Sequence, residues 1–293
     1  MRKSLLQRIG VDVEDLTFNE AIEKADLRWN VVEEPVFLQD GRKLEKYKAL
    51  LREDTREIFT VINSTYEVLQ PGRFLDMLYE VADVMEGKVT RLGLEGTERI
   101  EGGSLVGVIW IDSFALDRES GPDPIDLYYV FISPVGRGGL HIIPWIERVL
   151  SRSGYSASPL VERLKVRFHT LYSFRSDQKW EKILERIVSV KSVVEDTILW
   201  LAKQPLGVEE FRYILETKIF PSKGKTTLSK IDKLVDLFVH GEGNTGSTRW
   251  DALCAFIEYY NYHLSWNSFG TFYYFACFPK AEYVKLAKIL QKY

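Results

Sequence analysis

Up to about residue 135 the apolar positions mostly alternate with polar ones, the period-two pattern of a strand whose successive side chains point to opposite faces of a sheet. Tyr47 to Leu51, the turn Arg52-Glu53-Asp54-Thr55 and Glu57 to Ile62 read as a hairpin, and Thr65 to Leu69 reads as a third strand. Pro71 suits a first helical turn, where its missing N–H would have had no partner. Phe74, Leu75, Leu78, Val81, Ala82 and Met85 follow at three- and four-residue spacing, and Gly87 ends that helix. Strands resume at Val89 to Leu94, Leu105 to Ile111 and Leu127 to Ile132.

After residue 135 the period becomes helical. Trp180, Ile183, Leu184, Ile187, Val190, Val194, Ile198 and Leu201 form one stripe of a long amphipathic helix that Pro205 and Gly207 stop. Shorter helices are marked by Phe211, Ile214 and Leu215, by Leu228, Ile231, Leu234, Val235 and Phe238, and by Ala281 to Leu290. The pattern predicts an α+β fold: an antiparallel sheet with a packed helix over 1–135 and a mainly helical part over 136–293, forming one continuous module. Ser151 to Pro159, small and polar with Gly and Pro, reads as the linker.

With 45% apolar and 28% charged residues in 293, the chain has the balance of a globular protein and not of a disordered one. The net charge of −3 means that attraction to nucleic acid must come from a local patch. Two cysteines, Cys254 and Cys277, build neither a disulfide framework nor a zinc cage, and neither a signal peptide nor a membrane span is legible. A cytoplasmic protein without membrane contact is expected.

The charge is uneven. The first hundred residues carry 15 basic against 20 acidic side chains, net −5, whereas residues 137–191 carry 11 against 5, net +6. Trp145, Tyr155, Phe168, Tyr172, Phe174 and Trp180 are interleaved with those cations, alongside His141 and His169. Cations neutralise phosphates and ring faces stack on unpaired bases, so this mixture points to a single-strand groove. The residues expected to line it are Arg137, Arg163, Lys165, Arg167, Phe168, Tyr172, Arg175, Lys179 and Trp180; solvated charges over core rings are the alternative reading.

Gly241-Glu242-Gly243-Asn244-Thr245-Gly246 fits G-x-G-x-x-G, but the preceding segment has helical spacing and no βαβ unit follows, so a turn between helices is expected. Thr248 and Asp251 are placed to cap the next helix, and Asn244, Thr245, Ser247 and Thr248 form a candidate anion site. On that helix Asp251 and Glu258 share a face; the expectation is outward carboxylates over a core of Trp250, Phe256 and Ile257. Asp112, Asp117, Glu119, Asp123 and Asp126 crowd a stretch between two strands, read as a solvated acidic loop with a magnesium-dependent nuclease site as the alternative. No catalytic constellation, metal site or cofactor motif is otherwise assigned.

Ala25-Asp26-Leu27-Arg28-Trp29-Asn30-Val31-Val32-Glu33, Leu51-Arg52-Glu53-Asp54-Thr55, Val61-Ile62, Tyr66 and Val68-Leu69-Gln70, together with Gly243-Asn244-Thr245-Gly246-Ser247-Thr248-Arg249-Trp250, Ala255, Glu258 and Tyr259, resemble a phage/plasmid-like family catalogued as domain of unknown function 932. The resemblance spans nearly the whole chain. It implies a setting in phages and mobile elements, beside genes of DNA metabolism or of defence evasion. The resulting expectation is a non-enzymatic protein binding single-stranded DNA, such as an annealing or recombination accessory factor, working as a homo-oligomer. An anti-defence protein of the anti-restriction or anti-CRISPR kind, using its acidic first hundred residues against a host defence enzyme, is the alternative from another class.

Overall fold

A computed structural model describes residues 4–97, 100–118, 121–136, 139–161, 177–222, 224–262, 272–273 and 276–292. The fold is α+β, with antiparallel sheets and a helical carboxy-terminal half. The larger sheet has six strands in the order β1-β5-β6-β7-β8-β9: β1 Val11–Asp12, β5 Lys88–Thr97, β6 Ile100–Leu116, β7 Asp123–Pro134, β8 His141–Arg148 and β9 Ser153–Ser156. From β5 onward each strand pairs with the next in sequence, a meander made by short connections. A smaller sheet holds β2 Val31–Phe37, β3 Lys43–Arg52 and β4 Ile58–Asn63.

The helix α1 spans Phe18–Lys24 and is closed at its start by a reciprocal Thr17–Glu20 capping box. α2, Pro71–Val84, begins on its proline as the sequence predicts and lays Phe74, Leu75, Leu78 and Val81 into the core. Its approach to the sheet is close: a Cβ on Gly107 of β6 would lie 2.7 Å from the Leu78 side chain. The long α3, Asp177–Lys203, covers the same sheet face, where Tyr129, directly across from Ile109, donates its hydroxyl to the Ile187 carbonyl at 2.5 Å. α4 Val208–Ile214, extended by a wide turn over Leu215–Ile219, α5 Lys225–His240, α6 Arg249–Tyr262 and α7 Ala281–Lys292 complete the described helices.

Three expectations are corrected. Thr65–Leu69 is not a strand, because Asn63 Oδ1 accepts from the Thr65 N–H and hydroxyl at 3.0 and 2.8 Å and turns the chain out of β4; the third strand of the small sheet is β2. The sheet also runs past residue 135, through β8 and β9 to Ser156. Ser151–Pro159 therefore contains a buried strand and not a linker. Small residues are needed there because a Cβ on Gly154 would meet Trp145 Nε1 at 2.4 Å, and because Asn261 of α6 takes the Gly154 N–H and carbonyl with its side-chain amide at 3.2 and 3.0 Å.

Candidate functional site

The section between 137 and 191 divides. Arg137, Arg163, Lys165, Arg167, Phe168, Tyr172 and Arg175 lie outside the described residues, as does the side chain of Lys179. The described members do not share one surface. Trp145 and Tyr155 are fully buried and stacked on one another. Trp180 is 5% exposed, and its indole N–H donates to Glu80 of α2 at 2.6 Å. As the first member of the α3 stripe it anchors that helix, so its ring is not open to a base. Arg148 is held in the interior by Asp123, and Lys191 pairs with Asp112.

The main polar constellation among the described residues lies elsewhere, where the ends of β6, β7 and β8 meet α6 and the glycine turn. Asp123 opens β7 and Arg148 closes β8. Arg148 Nε donates to Asp123 Oδ1 at 2.7 Å and Nη2 to Oδ2 at 2.5 Å, a bidentate pair with both side chains at 3% exposure or less. Arg118, just past β6, places Nε 3.3 Å from Asp123 Oδ2 and donates from Nη1 to Asp251 Oδ1 at 2.6 Å. The Trp250 indole reaches Asp123 Oδ2 at 3.4 Å. Two arginines thus face two aspartates in a low-dielectric interior, where an uncompensated charge would be costly and a balanced set is tolerated.

The glycine turn is the helix-to-helix connection that the sequence predicts, and this network grips it. Arg148 donates to Asn244 Oδ1 and, at 2.5 Å, to the Gly243 carbonyl. Gly243 sits at φ +80°, and a Cβ there would lie 2.8 Å from Arg148 Nη2, so both the backbone conformation and the close approach require glycine. The predicted anion donors do converge, but on an internal anion. Thr245 Oγ1 donates to Asp251 Oδ2 at 2.9 Å, and the N–H groups of Ser247 and Thr248 reach the same oxygen at 3.3 and 3.2 Å. The Asp251 N–H in turn donates to Thr248 Oγ1 at 3.2 Å, which completes the expected cap. Asn244 spends its amide on the Leu237 carbonyl at 2.7 Å.

The outward placement expected for Asp251 and Glu258 is corrected: both are buried, at 0% and 9% exposure. α6 buries residues on all its faces, from Arg249 and Trp250 through Tyr260 and Asn261. The apolar run Trp250, Ala252, Leu253, Cys254, Ala255, Phe256 and Ile257 leaves no solvent face for the helix, which overrides the usual solvation of carboxylates. The solvated acidic loop is corrected in part. Asp123 is interior and Asp112 is bound to Lys191, while Asp117 is exposed and Glu119 lies outside the described residues. Among the described residues no three His, Cys, Asp or Glu side chains are grouped to hold a metal ion. The Asp123–Arg148 pairing, 25 residues apart, has no local sequence signal.

Burial pushes the Cys254 thiol up to about 12, with Asp123 and Asp251 adding to the effect and Arg148 opposing it. At neutral pH that thiol stays protonated, which removes its nucleophilic form. With every oxygen of Asp123 and Asp251 engaged, the network's chemical capacity is to hold β7, β8 and α6 in register. No helix among the described residues is long and apolar enough to cross a membrane. Comparison with protein-family models, with curated proteins and with solved structures gives no match.

Proposed function

We propose that the chain binds single-stranded nucleic acid through the run 162–179, as an accessory factor of a mobile element that holds strands without cutting them. The observation that carries this reading is the composition of the run: Arg163, Lys165, Arg167, Arg175 and Lys179 against Glu162 and Asp177, net +3 in 18 residues, with Phe168, Tyr172 and Phe174 among them. The geometry around it narrows where phosphate-neutralising charge could come from. Arg148 and Lys191, the described cations flanking the run for which acidic partners are seen, are committed to Asp123 and Asp112. The run is also bounded by anchored positions, Leu160 on one side and Trp180 on the other, both in the core. A basic, ring-bearing stretch tied at both ends to a well-packed body supplies electrostatic retention and stacking faces without a reaction centre.

Fluorescence anisotropy of a labelled single-stranded oligonucleotide over a salt series tests this. Retention by about five cations gives a slope of log K against log salt near −3.5, by the single-strand coefficient of about 0.7 per phosphate contact. Binding that is absent, or indifferent to salt, refutes the reading.

A further inference from the structure

Lys230, in the second turn of α5, holds its amine in a ring-walled recess. Nζ lies 4.4 Å from the centre of the Phe220 ring, 5.1 Å from that of Tyr260 and 5.5 Å from that of Tyr259. It also meets the Tyr260 hydroxyl at 3.2 Å. Each wall is held from behind. Phe220 follows the wide turn Leu215–Ile219, which its own N–H closes by donating to the Leu215 carbonyl at 2.7 Å, and its ring stacks on buried Phe256. Tyr259 and Tyr260 meet edge to face, 5.6 Å apart. A turn that bonds five residues back is rare in proteins and concentrates at functional sites. Phe220, Lys230 and Tyr259 are half-buried, so the recess is reached from solvent, while Tyr260 lies in the core.

These surroundings suit a free amine. Ring faces attract an ammonium but offer no acceptor lone pair, and an ammonium has three donors to satisfy. Among the described residues its hydrogen-bonding partner is the Tyr260 hydroxyl, and no acidic side chain forms an ion pair with it. Burial holds the Lys230 ammonium below the usual lysine range; Glu282 of α7 opposes this from a distance and Lys280 adds to it. Desolvation among apolar groups beside a second cation is how a lysine becomes a nucleophile. Tyr260 complements it. Burial first, then Glu282 and Tyr259, push its phenol well above the ordinary range, so it keeps a proton to give beside the amine.

We propose that Lys230 is a nucleophile that captures aromatic aldehydes as imines in the recess formed by Phe220, Tyr259 and Tyr260. The Nζ lone pair forms a bond to the carbonyl carbon, and the carbonyl oxygen takes the proton of the Tyr260 hydroxyl. That oxygen leaves as water when the C=N bond forms. Of the two amine protons, one restores the Tyr260 hydroxyl and the other completes the departing water, so no oxidant, reductant or further reactant is consumed. The walls set the class of aldehyde: a flat aromatic body stacks on Phe220 and Tyr259, whereas a short aliphatic one gains little from them. The inference stands apart from the nucleic-acid reading and survives its failure.

The test is trapping with benzaldehyde and cyanoborohydride on the full chain at about pH 7, without nucleic acid, read residue by residue through peptide mass spectrometry. The expected result is modification of Lys230 at least about tenfold faster than of the exposed Lys218, Lys225 and Lys285. That preference should shrink towards about pH 10, where the reference amines lose their own protons. Tyr260→Phe should slow Lys230 at least about fivefold and leave the three reference lysines unchanged. Phe220→Leu should narrow the advantage of benzaldehyde over acetaldehyde at Lys230 alone. Modification of Lys230 no faster than that of the reference lysines, or a rate there that neither substitution alters, overturns the proposal.

Discussion

Asp123 and Arg148 form a two-point ion pair across the β7–β8 hairpin, with contacts of 2.7 and 2.5 Å in an interior that leaves them 1% and 3% exposed. The same guanidinium reaches past the sheet to Asn244 and Gly243, so one side chain holds the ends of β7 and β8 and the turn that starts α6. Removing one partner strands the other charge in the core. Asp123→Asn and Arg148→Met are each expected to cost about 3 to 5 kcal/mol. The double variant Asp123→Asn with Arg148→Met should cost clearly less than the two singles together. Denaturant unfolding measures all three, and single-variant losses below about 1 kcal/mol would show that the pair does not secure the junction.

Glu147 neighbours this pair and faces Asp126 across the strands. Burial pushes its carboxyl up to about 7, Asp126 adds to the rise, and the Ser4 side chain and Arg152 oppose it. Between its ordinary value near 4.5 and about 7 the native chain keeps a proton that the unfolded chain has released. Stability therefore falls as pH rises through that window. Glu147→Gln should flatten this decline and gain on the wild type by an amount on the order of 1 to 3 kcal/mol at pH 8 relative to pH 5. Thermal unfolding across that range decides it; parallel pH profiles for the two proteins would count against the burial of this carboxyl.

Trp180 separates a structural ring from a nucleic-acid-binding one. Its hydrogen bond to Glu80 fixes the start of α3 on α2. Trp180→Phe is expected to lower stability by about 1 to 2 kcal/mol through loss of that bond. Its affinity for single strands should stay within about twofold of the wild type, because a buried indole offers no face to a base. A selective loss of affinity at unchanged stability would return Trp180 to the binding surface.

The elements that the sequence announces are those whose periodicity is expressed within a few residues: the hairpin of β3 and β4, α2 behind Pro71, the α3 stripe, and the Thr248–Asp251 cap. Where a local rule misleads, a distant contact has overridden it. Ser153, Gly154 and Ser156 look like linker residues until Trp145 and Asn261 close over them. The solvated reading of Asp251 and Glu258 follows the average behaviour of carboxylates; burial of α6 on all faces reverses it, and Arg118 is the counter-charge that no spacing could reveal. The basic section shows the same limit, since Trp145 and Tyr155 become interior only because β8 and β9 are covered on both faces once they join the sheet.

The central claim is that the positive run 162–179, and no other part of the chain, retains single strands. The most direct measurement compares the anisotropy-derived affinity of the wild type with that of a variant carrying Arg163→Gln, Lys165→Gln, Arg167→Gln, Arg175→Gln and Lys179→Gln, and with a control losing the same charge at Lys43, Lys46, Lys218, Lys233 and Lys285. The account predicts a loss of at least about a hundredfold and a salt slope near zero for the first, with the control within about threefold of the wild type. Equal losses in both variants, or no loss in the first, would contradict it.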